Sequence, residues 1–402
     1  MDHPQRHVFQ LILLILPCFS TIAEAAAAAN QTLIHDVTAF GAKADGETVS
    51  TKAFLSAWAA ACSFPAPSTI KVPSGFFAVG QVKFCGPCKS GNITFQIDGT
   101  LVAPSNYTAF YEVKGNWIQF DGVDGVSIFG GTLNGRGSSL WSCKLAGGRN
   151  CPDGAASLAF TNSKEVVISG LTSIDSELYH IVIDRSQRVT VEGVKVSAPA
   201  TSPNTDGIHV QMSAGVIVTD STIDTGDDCI SVGPGTRDLW IEKVSCGPSH
   251  GISIGSLGKE PGEQGVENVT VRSVLLSGTE NGLRIKTWGS PSDGFVRGVT
   301  FDHAIMKNVR NPIIIDQNYC PNEKGCSDQS SGVKISDVSY RDIRGSSATL
   351  VAVSFDCSAM NPCSGISLQD IDLAYEDQPA MASCNHAEGL ASGLVHPPSC
   401  LH

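Results

Sequence analysis

At 402 residues the chain has room for two ordinary domains, although length alone does not divide it. Charged residues are sparse at 16%, glycine is frequent and short β-branched runs recur, which favours β architecture over helices. A formal net charge of −12 with no basic run excludes nucleic acid and anionic membrane as partners, so any polyanionic ligand would need a local basic cluster.

Residues 1–25 read as a signal peptide: Arg6, an apolar run from Val8 to Phe19, then Ala23-Glu24-Ala25 as a small-x-small cleavage site. The run is too short to span a bilayer and no second one follows. The expected product is a secreted, soluble chain with residues 26–402 forming one domain. The sequons at Asn30, Asn92, Asn106 and Asn268 permit glycosylation, with Asn92 and Asn106 the better placed.

Ile34 to Phe40 reads as a first strand and Ala44-Asp45-Gly46 as a turn. A helix over about 50–62 follows, with Ser50 or Thr48 as its cap, and it sets Phe54, Ala57, Trp58 and Ala61 on one apolar face. Such a helix at the head of a β chain suits an end cap, with Trp58 in the core. From Thr69 onward short alternating strands dominate. Val166, Val189, Val216, Leu239, Val269, Val299 and Val333 open similar segments at intervals of 23, 27, 23, 30, 30 and 34 residues. This is a repeat with loop insertions. No unit can bury its own apolar face, so stacking at about 4.8 Å predicts a right-handed parallel β-helix. An antiparallel sandwich would need hairpin turns between strands and would not align the units. Alternation then places Ile208, Ile230, Ile252 and Leu283 inside, and His209, Ser231, Ser253 and Arg284 outside. Lys144 to Gly154 and Pro321 to Ser331 read as excursions, and residues 378–402 as a C-terminal cap.

Of the fourteen cysteines, thirteen remain once Cys18 leaves with the signal peptide, and in an exported chain they read mainly as disulfides, with one thiol over if all others pair. Spacing suggests Cys143–Cys151, Cys320–Cys326, Cys357–Cys363 and Cys384–Cys400, with Cys229 and Cys246 on neighbouring coils. Two of Cys62, Cys85 and Cys88 can pair. Cys85-Gly86-Pro87-Cys88 has the letters of a redox motif without its strand–helix context, so no redox role is expected.

The chemistry gathers between Ser202 and Trp288. Adjacent carboxylates such as Asp227 and Asp228 shift each other's proton affinity, and Asp206 arrives one coil earlier, 21 residues before Asp227. Acid–base cleavage of a glycosidic bond needs one protonated carboxyl for the leaving oxygen and one ionised group to activate water. His250, 22 residues after Asp228, is placed to tune a carboxylate proton or to contact sugar. Arg284 and Lys286 share the outward face, as a clamp for a substrate carboxylate would. Asn204 is either a site hydrogen bonder or the turn residue after Pro203.

These residues carry a resemblance. Asn204-Thr205-Asp206-Gly207, Gly226-Asp227-Asp228, His250-Gly251 and Arg284-Ile285-Lys286, in that order, resemble the motifs of polygalacturonases in glycoside hydrolase family 28. Phe40 to Gly46, Lys286-Thr287-Trp288 and Ile315 to Cys320 resemble its plant branch. The resemblance implies metal-free, inverting hydrolysis of α-1,4-galacturonosyl links in homogalacturonan by a secreted, cell-wall enzyme, expected as a monomer without a cofactor. It makes Asp227 the general acid, Asp206 and Asp228 the activators of water, and His250 the support of the acid. Arg284, Lys286 and Tyr319 would bind substrate. Carboxylates on adjacent coils would lie close together, and by separation alone that suggests retention rather than inversion. Ser249 departs from the family's usual glycine and is expected to crowd the backbone beside the cleft. A rhamnogalacturonan-type hydrolase, a pectate lyase or a catalytically weak pectin-binding β-helix are the alternatives. The choice between endo and exo action rests with loops at the groove ends.

Overall fold

The computed structural model describes residues 32–106, 115–148, 150–321, 330–376 and 378–402. The signal-peptide segment and the Asn30 sequon lie outside these residues. So does Cys326, the expected partner of Cys320, which is itself disulfide-bonded.

Within the described residues the chain winds as a parallel β-helix. One wall is an 11-stranded sheet running from Val82–Cys85 to Met381–Asn385, and its pairings are all parallel. The remaining wall is a 21-stranded sheet. Two of its stacks merge where Val266–Ser277 pairs with both Arg237–Glu242 and Ser245–Cys246. Each rung satisfies the backbone groups of the next, which no rung could do for itself.

Side-chain alternation then fills the interior. Ile208, Ile230, Ile252, Leu283 and Ile313 align rung over rung and are fully buried. Val210, Val232, Ile254, Ile285 and Ile315 form a second buried column. On the opposite face of the same strands stand His209, Ser231, Ser253 and Arg284, in the register that alternation requires.

A helix over Thr51–Ser63 covers the first coil with Ala53, Phe54, Ala57, Trp58 and Ala61. The Trp58 ring packs on Phe84, Phe95 and Phe120 at 5.3, 6.0 and 5.7 Å, and Phe120 stacks on Phe160 at 4.6 Å. The open end of the solenoid is thus closed by aromatic contact rather than by a further strand.

Several local expectations are corrected. The first strand stops at Asp36, and Val37–Phe40 is a 3₁₀ turn capped by the Asp36 carboxylate. Ser50 holds the N-cap position, with its C=O accepting from Ala53 and Phe54 N–H, but neither Ser50 nor Thr48 caps the helix with its side chain. The Ser50 hydroxyl instead accepts from Lys43 N–H and donates to Thr48 C=O, while Thr48 donates to Asp45. Val299 pairs with Val338 rather than Val333, because the strand Lys334–Ser347 offers the same alternation at both positions and the excursion before it lengthens the coil. The excursion after Gly137 carries an unexpected short helix, Ser138–Leu145, pinned by Cys143–Cys151. Where a C-terminal cap is expected, the chain lays down another rung: Met381–Asn385 pairs with Val351–Asp356, and Ala387–His396 with Cys363–Tyr375.

Disulfides join Cys62–Cys88, Cys143–Cys151, Cys229–Cys246, Cys357–Cys363 and Cys384–Cys400. Cys62, near the end of the Thr51–Ser63 helix, reaches Cys88 across a Cα–Cα distance of 4.5 Å and leaves Cys85 free and exposed. Alkylation of the folded, unreduced protein should therefore label Cys85. Peptide mass mapping that found the label on Cys62 or Cys88 would contradict this pairing.

Candidate active site

Successive turns at one edge of the 11-stranded sheet carry the acidic groups. Asp206 precedes strand Ile208–Gln211, the Asp227-Asp228 pair precedes Ile230–Val232, and His250 precedes Ile252–Leu257. Arg284 and Lys286 lie within Asn281–Trp288. Backbone hydrogen bonds lock these turns to one another: Gly207 N–H to Asp228 C=O at 2.9 Å, His250 N–H to Asp227 C=O at 2.8 Å, and Cys229 N–H to Gly251 C=O at 2.8 Å. Gly226 and Gly251 are required by the close approach. A Cβ at Gly226 would run into the Ser202 backbone, and one at Gly251, where φ is +91°, into the Asn281 carbonyl.

Asp228 is the most enclosed member, its side chain only 1% exposed. Its Oδ1 accepts from Ser253 Oγ and Arg284 Nη2, both at 2.7 Å, and its Oδ2 accepts from Lys286 Nζ at 2.8 Å. Burial pushes the carboxyl pKa up, but Lys286 and Arg284 outweigh it and hold Asp228 at about 2. The two cations, expected as an open clamp, are themselves buried and turned onto Asp228.

Asp206 is the opposite case. Burial first, then the charges of Asp227 and Asp228, raise it well above the ordinary carboxylate range, with Ser231 and Lys286 opposing. The protonated form of Asp206 is thus favoured beside an ionised Asp228. Asp227 is the most open of the three. Its Oδ1 accepts from Asp228 N–H at 2.9 Å and faces His250 Nδ1 at 3.0 Å, and its Oδ2 accepts from Asn204 Nδ2 at 3.4 Å. The Asp227 hydrogen bond is the main reason the His250 pKa is raised, against burial, with the charges of Asp227, Asp228 and Glu280 adding to it.

The structure thus brings Asp206, Asp227, Asp228, His250, Arg284 and Lys286 together. Asn204 fills both roles considered for it, since it sits in a left-handed turn at φ 56° and bonds Asp227. Tyr319 joins through its ring, 5.2 Å from Lys286 Nζ and 5.5 Å from Trp288. Ser249 turns away from the cleft. Its hydroxyl accepts from Gly251 N–H at 2.9 Å and rests on the Cys229 and Cys246 sulfurs at 2.9 and 3.2 Å, bracing the turn that aims His250.

Other members have no motif of their own. Glu280 Oε2 lies 3.7 Å from His250 Nε2, and Lys259 lies over the Trp288 ring at 5.6 Å. Behind the carboxylates the Ser202 and Thr205 hydroxyls meet at 2.6 Å, and Thr205 accepts from Gly226 N–H. Only the outward parity of Ser253 signalled that it would support Asp228. Donor atoms of Asp227, Asp228 and His250 fall within 4.8 Å of one another and could hold a cation. Both Asp228 oxygens are already committed to Arg284 and Lys286, which weakens that set as a metal site.

The profile of Glycosyl hydrolases family 28 matches residues 62–395. A polygalacturonase of Prunus persica is 58% identical over 369 residues, covering 92% of this chain and 94% of that protein. Among solved structures, an endo-xylogalacturonan hydrolase from Aspergillus tubingensis superposes with a TM-score of 0.75 at 21% identity over 89% of this chain and 98% of its own. Endopolygalacturonase I from Stereum purpureum, solved with two galacturonate molecules, gives 0.65 at 19% identity over 81% and 95%. These two likenesses speak for the fold alone.

The opposed charge states set a pH profile for stability. Asp206 and His250 bind protons more tightly folded than unfolded, so their contribution is full below the unfolded values, 3.8 and 6.5, and fades as pH rises through the folded ones. That of Asp228 is present above 3.8 and lost as pH falls toward about 2. Other groups titrate in the same range, so the difference isolates the effect: the Tm of Asp206→Asn relative to the wild type should rise with pH above about 4 in calorimetry, as the wild type loses the Asp206 contribution. A Tm difference that does not change with pH would contradict the raised proton affinity of Asp206.

Proposed function

The chain belongs to family 28 of the glycosyl hydrolases, and from that membership we propose that it is an exported polygalacturonase that hydrolyses the α-1,4-galacturonosyl links of de-esterified pectin. The observation that carries this reading is the trio of carboxylates on consecutive rungs, held in unlike states. Asp228 is ionised between Arg284 and Lys286, burial and the neighbouring carboxylates favour the protonated form of Asp206, and Asp227 stands at the mouth with His250. Groups pushed apart in this way can divide acid from base work.

We assign Asp227 as the general acid. It is the carboxyl nearest solvent, and the proton held between it and His250 is the one to be delivered to the leaving oxygen. Asp206 and Asp228 would activate the attacking water from the other side, giving inversion in a single displacement. Asp228 comes to this task already ionised. Arg284 and Lys286 would hold Asp228 in that state and offer their remaining N–H groups to a galacturonate carboxylate, with the Tyr319 ring beside Lys286. Beside this centre, and on the side of the earlier coils, lies a groove of about 640 Å³ that includes Asn116, Tyr179, His209 and Gln211, and it provides a path for the polysaccharide. The disulfides fit the oxidising compartment of an exported cell-wall enzyme.

Purified protein should release reducing ends from polygalacturonate without loss in chelator. Asp227→Asn should lower kcat by about 10²–10⁴-fold while leaving the far-UV spectrum unchanged. Proton NMR of the fresh product should show the inverted anomer, and chain length against time distinguishes endo from exo action. Unsaturated ends, or full activity in Asp227→Asn, would overturn the assignment.

A further inference from the structure

The sheet that carries the catalytic turns continues toward the N-terminus, and its outward columns change character there. Rung by rung, Arg284, Ser253, Ser231 and His209 are followed by Val182, Ala159 and Gln119. Beside that column stand Gln211, Asp184, Thr161 and Asp121. Val182 and Ala159 belong to the outward face, yet with Ala156 they form a small apolar cluster of their own, separate from the interior core and packed by Tyr179. Ala156, Val182 and Tyr179 line the groove of about 640 Å³, so the cluster is part of its floor.

The charges along this stretch are of one sign. Among the described residues that line the groove there is no lysine or arginine, whereas Asp153 and Asp184 are both present. The cations nearby are spent on the protein itself: Lys83 on Asp121 at 2.7 Å, Arg185 on Asp184, and Lys144 on the Asp153 C=O at 2.7 Å. Asp184 is only 4% exposed. One of its oxygens meets Arg185, and the other, Oδ1, has no hydrogen-bond partner among the described residues. The opposite flank differs, for Arg284, Lys286 and, over the Trp288 ring, Lys259 stand there. Beyond them Asp316 and Asp356 are both bonded by Asn318.

A galacturonate carboxylate laid over this floor would leave water for an apolar surface beside Asp153 and Asp184, with no free cation to receive it. A methyl ester has no charge to desolvate. Its methyl group can rest on Ala156, Val182 and the Tyr179 ring, and a hydroxyl of the same sugar unit is the donor that the Asp184 carboxylate lacks. We propose that the groove on the side of the earlier coils is a subsite for methyl-esterified galacturonosyl units. The enzyme then cuts partially esterified homogalacturonan where a free acid unit meets Arg284 and Lys286 and esterified units follow on the other flank. Val182 lies two rungs from Ser231, about 10 Å, so the subsite begins beyond the catalytic carboxylates and leaves the cleaved link to them.

The proposal rests on the reading of the chain as a galacturonan hydrolase. Tandem mass spectrometry of the products from partially methyl-esterified homogalacturonan should find methyl esters close to the cut enriched on one flank over the other. Esters excluded from both flanks, or accepted equally on both, overturn the subsite. Val182→Lys sets a cation in the floor and should raise the ratio of kcat/KM on polygalacturonate to that on the esterified chain by about tenfold, carried by KM. Val182→Gln adds a polar side chain without the charge and should move that ratio much less. Should Val182→Lys fail to fold, Asp184→Asn removes a negative charge and releases Arg185, which should move the ratio the same way. A ratio unmoved by the charge changes, or moved as far by Val182→Gln, overturns the proposal. A wild-type chain that releases no reducing ends from either substrate overturns the functional reading beneath the subsite instead.

Discussion

Parallel pairing between successive rungs is the constraint on which every other feature depends. A rung supplies backbone donors to one neighbour and acceptors to the other, so its register cannot slip by one residue without turning its whole apolar set outward. Ile208, Ile230, Ile252 and Leu283 enforce that register from within. On the other side of the same backbone the register delivers His209, Ser231, Ser253 and Arg284 as a column about 4.8 Å from rung to rung. Groups that repel, such as the carboxylates of Asp206, Asp227 and Asp228, are held together because the interior leaves the turns nowhere else to go.

That enforced proximity has an electrostatic cost. An ionised carboxylate removed from water loses several kcal/mol of hydration, and a pair broken by removing one partner costs about 3–5 kcal/mol. The enclosure of Asp228 is tolerable because Arg284, Lys286 and Ser253 occupy its oxygens. The same two cations are then shielded from solvent. A second full negative charge in that space has no comparable partner, and the proton affinity of Asp206 is raised as a result. Function and stability are therefore written into the same few contacts.

Much of this was legible in the chain because it depended on period and parity. Strand alternation and the recurring valine positions specified the coil, the inward column and the outward one. The spacing from Asp206 to Asp227, and from Asp228 to His250, specified that they share a row. What escaped depended on side-chain direction and on details of the insertions. The same alternation at Val333 and Val338 concealed the true register behind an excursion of unknown length. Arg284 and Lys286 were legible as cations on the right face. Nothing in their spacing said that they would turn onto Asp228 rather than stay open. Ser249 was read by the volume of its side chain, whereas its role follows from the disulfide behind it. Glu280 had no motif, since it reaches His250 from a turn two rungs beyond the Asp227 turn.

The disulfide and Ser249 also explain how such a charge cluster stays ordered. Cys229 follows Asp228 directly, and Ser249 precedes His250, so the Cys229–Cys246 bridge ties together the turns that carry Asp228 and His250 from behind. Burying a hydroxyl against sulfur is favourable only if its oxygen is also satisfied, and the Gly251 N–H satisfies it. The turn carrying His250 is thereby fixed through its backbone, leaving the imidazole to answer only to Asp227 on one side and Glu280 on the other. A loosely held histidine would spread its proton among Asp227, Asp228 and Glu280 according to their fluctuating distances. A rigid one directs it to Asp227, the most open of the three carboxyls.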